Sequence, residues 1–220
     1  MMKDKTELVF ILDKSGSMAG LESDTIGGYN GMLKKQKKVP GTCIVTTVLF
    51  DDGYELLHDR IDIQAIHPLT EKDYEAGGCT ALYDAIGRTI HKIASVQKHT
   101  DEKHRADHVL FVIITDGMEN ASREYSGARI RKMIGQEQEK YGWEFVFLGA
   151  NMDAIQSAEN LGIRADHASD YVPDRAGTTL NFAVMSDTVA QYRQTGKFEA
   201  AMLDEIRSDE KKRGRRGRKR

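Results

Sequence analysis

The sequence predicts an α/β fold: a doubly wound, mostly parallel sheet with one antiparallel edge strand and helices on both of its faces. A continuous apolar run at 8–12 and strongly apolar stretches at 108–115 and 143–148 are rich in β-branched and aromatic residues, which is typical of strands covered on both sides. Segments with helical periodicity lie between these runs, and such an alternation is typical of a parallel sheet. The strands at 43–50 and 54–63 differ, because a short turn joins them as in an antiparallel hairpin.

The predicted helices follow the strands in order. The stretch 21–38 has apolar residues at a helical spacing and ends in the basic run KKQKK, which suits the negative end of a helix. The stretch 81–96 places its larger apolar residues on one helical face. Further helices are predicted at 126–140 and 152–161, followed by a mostly helical stretch from 174 to about 208 that Gly196 divides.

Charge is distributed unevenly along the 220 residues. The formal net charge is −2, but the last ten residues, KKRGRRGRKR, hold eight of the 32 Lys and Arg and no acid. Residues 1–210 therefore carry 24 bases against 34 acids, so an acidic body of about −10 precedes a basic tail. We predict three parts: an α/β domain at 1–170, a helical extension at 171–208 packed on or following it, and a disordered basic tail at 209–220.

The N-terminal residues and the cysteines bear on the location of the protein. The N-terminus is charged, and the apolar run after it is too short for a signal peptide core or a membrane span. The chain has only two cysteines, Cys43 and Cys79, which are too few for a disulfide framework and are not spaced as a zinc site. We therefore expect a cytoplasmic protein without a membrane contact, in which both cysteines are small buried residues.

The first predicted strand ends at three side chains that carry oxygen atoms. Asp13, Ser15 and Ser17 alternate with other residues in a tight turn, so they project from one side of it at the carboxyl end of the strand. Carboxylate and hydroxyl oxygens are ligands that Mg²⁺ takes, usually with several waters retained. The same residue types are common in turns and at helix N-termini, so D-x-S-x-S alone does not distinguish a metal site from the start of a helix.

Two further segments place oxygen ligands at the same edge of the predicted sheet. Thr80 follows a glycine-rich stretch at the entrance to the helix at 81–96, and Asp116 follows the strand at 108–115. The loops after the strands of a doubly wound sheet converge on its carboxyl edge. We therefore expect these oxygens to lie together, in a site made of Asp13, Ser15, Ser17, Thr80 and Asp116.

Three motifs occur in order along the chain: D-K-S-G-S at 13–17, G-G-C-T at 77–80 and I-T-D-G at 114–117. In these motifs the chain resembles the von Willebrand factor A (VWA) domain family with its metal-ion-dependent adhesion site (MIDAS), in the stand-alone intracellular bacterial type. The resemblance covers roughly residues 7–162 and fades after 170. It implies a Rossmann-like fold that binds Mg²⁺ or Mn²⁺, with Ser15, Ser17 and Thr80 as direct ligands and with Asp13 and Asp116 bound directly or through water.

The resemblance also implies a function. In domains of this family a carboxylate of a partner protein takes the remaining coordination position of the metal. The chain would then be a metal-ion-dependent protein–protein interaction module for a partner that offers an Asp or Glu, and not an enzyme. The charges agree with this, because neutral hydroxyls leave most of the cation's charge uncompensated and an incoming carboxylate supplies the missing anion.

Two other functions follow from single features. A phosphatase of the haloacid dehalogenase type also begins with an Asp after a buried strand, but its general acid two residues later is here Ser15, whose hydroxyl pKa is too high for that role. The basic stretch 211–220 could contact nucleic acid or another acidic surface, although it lacks aromatic residues for base stacking.

Five acids of nearby turns and helix starts are interpreted as solvated caps outside the site: Asp51, Asp52, Glu75, Glu119 and Asp153.

Overall fold

Residues 5–217, which the computed structural model describes, build a sheet and the helices that cover it. The strands are β1 Lys5–Asp13, β2 Thr42–Phe50, β3 Tyr54–Asp62, β4 His108–Thr115, β5 Glu144–Gly149 and β6 Ala168–Asp170. The helices are α1 Glu22–Gln36, α2 Leu82–His99, α3 Gly127–Tyr141, α4 Ala154–Asn160, α5 Arg175–Thr195 and α6 Asp204–Gly217. Short 3₁₀ helices lie at Gly16–Met18, Glu102–His104, Ala165–His167 and Ala200–Leu203.

The strands pair in the order β3-β2-β1-β4-β5-β6. All pairs are parallel except β2 with β3, which form the antiparallel hairpin at one edge. The predicted fold class is therefore confirmed. β6 was not predicted, because three residues are too few to show an alternation of apolar and polar side chains.

Alternate residues of β1 contribute to two separate cores. Leu8, Phe10 and Leu12 pack on one face of the sheet, with apolar residues of α1, α5 and α6. Val9 and Ile11 pack on the other face, with apolar residues of α2, α3 and α4. The central strand is thus buried on both sides, as its continuous apolar sequence predicts.

The C-terminal helices belong to the first of these layers. α5 begins after Asp174 and ends at Gly196, which has a φ of +67° and divides the helical stretch as predicted. An added Cβ on Gly28 of α1 would lie 2.5 Å from the Phe182 ring of α5, so the glycine permits the close approach of the two helices. Arg193 of α5 is buried and donates to the carbonyl oxygens of Gln36 at 2.7 Å and Gly41 at 3.2 Å. Its charge thereby lies at the negative end of α1.

Two expectations differ from the structure. Cys43 is buried as predicted, but Cys79 is exposed, because the loop that carries it lies at the surface beside the entrance to α2. α6 extends to Gly217, beyond residue 209 where the disordered tail was predicted to begin, and Arg213 pairs there with Asp174 at 2.7 Å. The sequence interpretation considered only the absence of apolar residues and not ion pairs. Residues 218–220 lie outside the described part of the chain.

No helix within residues 5–217 is both long and apolar enough to span a membrane.

Candidate metal site

Three loops at the carboxyl edge of the sheet bring the five predicted site residues together. Ser15 Oγ lies 3.2 Å from Ser17 Oγ, and the Thr80 hydroxyl donates a hydrogen bond of 3.1 Å to Ser15 Oγ. The Ser17 hydroxyl donates to Asp116 Oδ1. Asp13 joins this group through the backbone N–H of Ser15, which donates to its Oδ1 at 2.7 Å. The structure therefore brings the oxygen atoms of these five residues together at one edge of the sheet.

Gly117 shows how closely the three hydroxyls converge. An ideal Cβ added to this glycine would lie 3.0 Å from Thr80 Oγ1, 3.2 Å from Ser17 Oγ and 3.8 Å from Ser15 Oγ. These oxygens thus surround a common point, and the missing side chain leaves the space beside it free. Thr80 and Ser15 are buried, whereas Ser17 is exposed, so the cluster opens to the surface at Ser17.

The two carboxylates have different hydrogen-bonding environments. Both oxygens of Asp13 accept a hydrogen bond. Oδ2 accepts one of 2.5 Å from the Thr115 hydroxyl, and Oδ1 accepts the one from the Ser15 N–H. Asp116 Oδ2, in contrast, is buried and has no hydrogen-bond partner. Asp13 is therefore suited to orient the loop or to hold a metal-bound water, while Asp116 has an oxygen available for a cation.

Both carboxylates are buried without a positive charge beside them. Burial raises the pKa of Asp13, although hydrogen bonds from Thr115 and Ser15 act in the opposite direction and lower it. Burial also raises the pKa of Asp116, and the nearby charge of Asp13 adds to this. Among the described side chains, those of residues 5–213, no ion pair includes either residue. A bound cation would supply the charge that compensates them.

Backbone hydrogen bonds hold the three loops in place. The N–H of Gly16 donates to the carbonyl of Gly78 at 3.1 Å, and the N–H of Gly77 donates to the carbonyl of Lys14 at 2.9 Å. These bonds fix the serine loop against the threonine loop. Lys14 itself points away and pairs with Glu55 at 2.8 Å, as the alternation in the turn predicts.

Asn120 and Tyr74 are site residues that the sequence interpretation missed. The Asn120 side-chain oxygen accepts a bond of 2.8 Å from the N–H of Thr80, and the Asn120 N–H donates to the Thr80 carbonyl at 3.0 Å. The buried Tyr74 hydroxyl donates to the carbonyl of Asp13. Both contact backbone atoms of predicted site residues, and no motif in the sequence marks such contacts.

Three of the neighbouring acids have the cap and turn roles that were predicted. Asp51 accepts from the N–H of Gly53 at 2.6 Å, and Asp153 caps α4 through the N–H of Gln156 at 2.9 Å. Glu119 accepts from backbone N–H groups, including that of Tyr83 at 2.9 Å. In the described part of the chain no group of three or more His, Cys, Asp or Glu is placed to hold a metal ion.

The sheet order and the position of this cluster define a protein with the VWA fold. No protein-family model and no curated protein matches the sequence. Among solved structures, the vWF domain of the type V pili tip protein Mfa5 from Porphyromonas gingivalis is similar, with a TM-score of 0.61 and 12% identity over 90% of this chain and 99% of that chain.

Two further structures share the fold. The PilB minor pilin from Streptococcus sanguinis has a TM-score of 0.57 and 13% identity, covering 85% of this chain and 61% of that chain. Proximal thread matrix protein 1 from the mussel byssus, whose MIDAS motif is occupied by zinc, has a TM-score of 0.56 and 11% identity, covering 84% of this chain and 46% of that chain. This chain thus spans about three fifths and about half of their lengths. At such identities the likeness establishes the fold alone.

Proposed function

We propose that this protein is a metal-ion-dependent adaptor that binds a carboxylate of a partner protein through Mg²⁺ or Mn²⁺. The observation that carries the proposal is the convergence of three hydroxyls beside two buried carboxylates that have no counter-charge. Ser15, Ser17 and Thr80 would be direct ligands, and Asp116 would use its unpartnered oxygen or a bridging water. Asp13 would bind the metal directly or through water, since each of its oxygens already accepts one hydrogen bond and keeps a lone pair.

The donor set suits a hard divalent cation. All five side chains offer oxygen, which Mg²⁺ and Mn²⁺ prefer over nitrogen and sulfur. When bound, the metal supplies a positive charge at the surface that attracts an anionic ligand. The mussel relative, whose MIDAS motif is occupied by zinc, supports the capacity of this fold to hold a divalent ion.

The surroundings of the cluster favour binding of a protein over catalysis. Met118, two residues after Asp116, is 67% exposed and offers a flexible apolar contact for a partner at this edge. The position of a general acid is occupied by Ser15, whose hydroxyl receives a bond from Thr80 and is not suited to proton transfer near neutral pH. We therefore propose that the protein is not an enzyme. We also propose a cytoplasmic location, which the two unpaired cysteines favour.

Calorimetric titration with Mg²⁺ and Mn²⁺ tests the metal part of the proposal. Wild type should bind either ion, whereas Asp13→Ala and Thr80→Ala should bind much more weakly or not at all. Thr100→Ala is a matched control, because Thr100 ends α2 at the opposite edge of the sheet. Equal affinity in wild type and Asp13→Ala would refute the metal assignment.

Capture of partners tests the adaptor part. The tagged protein should retain a partner from lysate in Mg²⁺ and release it in EDTA, and Thr80→Ala should fail to retain it while keeping the melting temperature of the metal-free wild type. A partner that is held equally in EDTA would show that binding does not use the metal.

A further inference from the structure

A small cavity lies at the amino edge of the sheet, opposite the candidate metal site. Ala94 and Gln97 of α2, Tyr141 at the end of α3 and Trp143, which precedes β5, line it. The eight residues of β4 span roughly 25 Å from this edge toward Asp116, so the cavity is separate from the hydroxyl cluster. Its volume of about 140 Å³ is close to that of an internal cavity that holds one benzene molecule. A ligand of about six non-hydrogen atoms therefore fits it.

Glu137 of α3 gives this cavity a carboxylate that lacks a partner. Its Oε2 atom is buried and has no hydrogen-bond partner among the described residues. Burial raises the pKa of this carboxyl, while the charge of Lys140 acts in the opposite direction and lowers it. A buried carboxylate oxygen costs free energy unless a donor or a positive charge compensates it. A ligand that supplies both would thus complete the bonding of Glu137.

The other buried polar groups around the cavity already have partners. The side-chain N–H of Gln97 donates to Glu7, and the Gln97 side-chain oxygen accepts a bond of 3.3 Å from the N–H of Ala106. The Arg105 guanidinium also lines the cavity, but it donates to backbone carbonyl oxygens at the end of α2, including that of Thr100 at 2.8 Å. Its charge thereby lies at the negative end of that helix. These groups do not compensate the Glu137 carboxylate.

Two aromatic rings in the cavity wall suit an organic cation. Trp143 is buried and stacks against Phe111, with the ring centroids 5.5 Å apart. The Tyr141 ring already has a cation over it, since Lys140 Nζ lies 5.1 Å from its centroid. Lys98 lines the cavity as well, but it is exposed, so water and salt screen its charge more than that of a buried carboxylate. The wall thus combines apolar contact with attraction for a positive charge.

We propose that this cavity binds a small primary ammonium ion that carries a short aliphatic chain. The ammonium group donates to Glu137 Oε2, and the chain packs against Trp143 and Ala94. Butylammonium, with about five non-hydrogen atoms, has the size that the volume allows. This binding activity is additional to the proposed metal function and uses the other edge of the sheet.

The fluorescence of Trp143, the single tryptophan of the chain, reports on this cavity. Wild type is titrated near neutral pH with butylammonium chloride, and with butanol and butyrate as neutral and anionic probes of the same chain length. Glu137→Gln keeps the shape of the side chain and removes its charge. Glu139→Gln is the matched control, because Glu139 is an exposed acid of the same helix. Ala94→Leu fills the cavity and leaves the carboxylate in place.

We expect a saturable change in the Trp143 emission of wild type, with half-saturation between about 0.1 and 10 mM butylammonium. Glu137→Gln and Ala94→Leu should each weaken this binding about tenfold or more, without a loss of melting temperature for Glu137→Gln, because it removes an uncompensated buried charge. Glu139→Gln should bind as wild type does. Butanol should bind about tenfold more weakly than butylammonium, and butyrate should not bind.

Three outcomes would overturn the proposal. The first is the absence of a saturable change in wild type up to about 50 mM butylammonium. The second is equal affinity in wild type and Glu137→Gln, since the carboxylate would then not contact the ligand. The third is tighter binding of butyrate than of butylammonium, which would assign the cavity to an anion held by Arg105 and Lys98. If Glu137→Gln does not fold, unchanged affinity in Ala94→Leu would overturn the proposal instead.

Discussion

Replacement of Asp116 by Asn should stabilise the metal-free protein and at the same time abolish its stabilisation by Mg²⁺. The Asn side-chain oxygen can still accept the hydrogen bond from Ser17, so the geometry of the loop is retained. The substitution removes a buried charge that lies near Asp13 and has one oxygen without a partner. It also removes the ligand that is best placed to attract a cation.

The substitution has two effects on stability, which are of comparable size and opposite sign: a gain without metal and a loss of the stabilisation by Mg²⁺. An unsatisfied buried charged oxygen costs on the order of 1–3 kcal/mol, and part of this is regained in the variant without metal. A site with a dissociation constant of about 1 mM is stabilised by about 1.4 kcal/mol at about 10 mM Mg²⁺. For a chain of this length, each kcal/mol shifts the melting temperature by roughly 2–4 °C. Mg²⁺ should therefore raise the melting temperature of wild type by about 3–6 °C.

Thermal unfolding in EDTA and across a Mg²⁺ titration measures both effects. Asp153→Asn is the control, since it changes an exposed cap and should behave as wild type. In EDTA the excess in melting temperature of Asp116→Asn over wild type should shrink as the pH falls toward 4. The pKa of Asp116 is raised in the folded state, so the folded wild type binds the neutralising proton more readily than the unfolded chain does. A variant that keeps the Mg²⁺ shift would refute the reasoning.

Three further substitutions test other parts of the structure. Gly117→Ala should weaken Mg²⁺ affinity about tenfold in calorimetry, because its Cβ would enter the space beside the hydroxyls; Gly135→Ala, which meets nothing within 4 Å, should not. Met118→Ser should reduce partner capture without lowering the melting temperature, whereas Tyr141→Ser at the opposite edge should leave capture unchanged. Arg193→Met should lower the free energy of unfolding in urea by about 2–4 kcal/mol by leaving buried carbonyls unpaired, and a loss below about 1 kcal/mol would contradict this.

The sequence was most informative where a local pattern determines the structure. β1 is central and buried on both faces, so its apolar run was sufficient to place it and to locate Asp13 at its end. The alternation of residues in the turn then placed Ser15 and Ser17 on the same side. The prediction that Thr80 and Asp116 lie beside Asp13 required a further assumption, namely that parallel strands bring their loops to one edge. The sheet order agrees with this assumption.

The remaining features depend on tertiary contacts that no local pattern encodes. Asn120 supports Thr80 through the backbone, across 40 positions of the chain. α6 continues past residue 209 where Arg213 meets Asp174, 39 positions away. Cys79 is exposed because of the path of its loop, whereas a count of cysteines gives only their average tendency to be buried.

The contact between Gly28 and Phe182 has a consequence for synthesis of the protein. α5 covers the face of the central strand that Leu8, Phe10 and Leu12 present, yet the ribosome makes it more than a hundred residues after β1. α1 covers part of this face soon after β1 is made, but at about 5–20 residues per second the part that α5 covers stays open for roughly 8–30 s. During that interval the nascent chain exposes an apolar sheet face that is prone to aggregation, so chaperone protection should matter more for this protein than its modest size suggests.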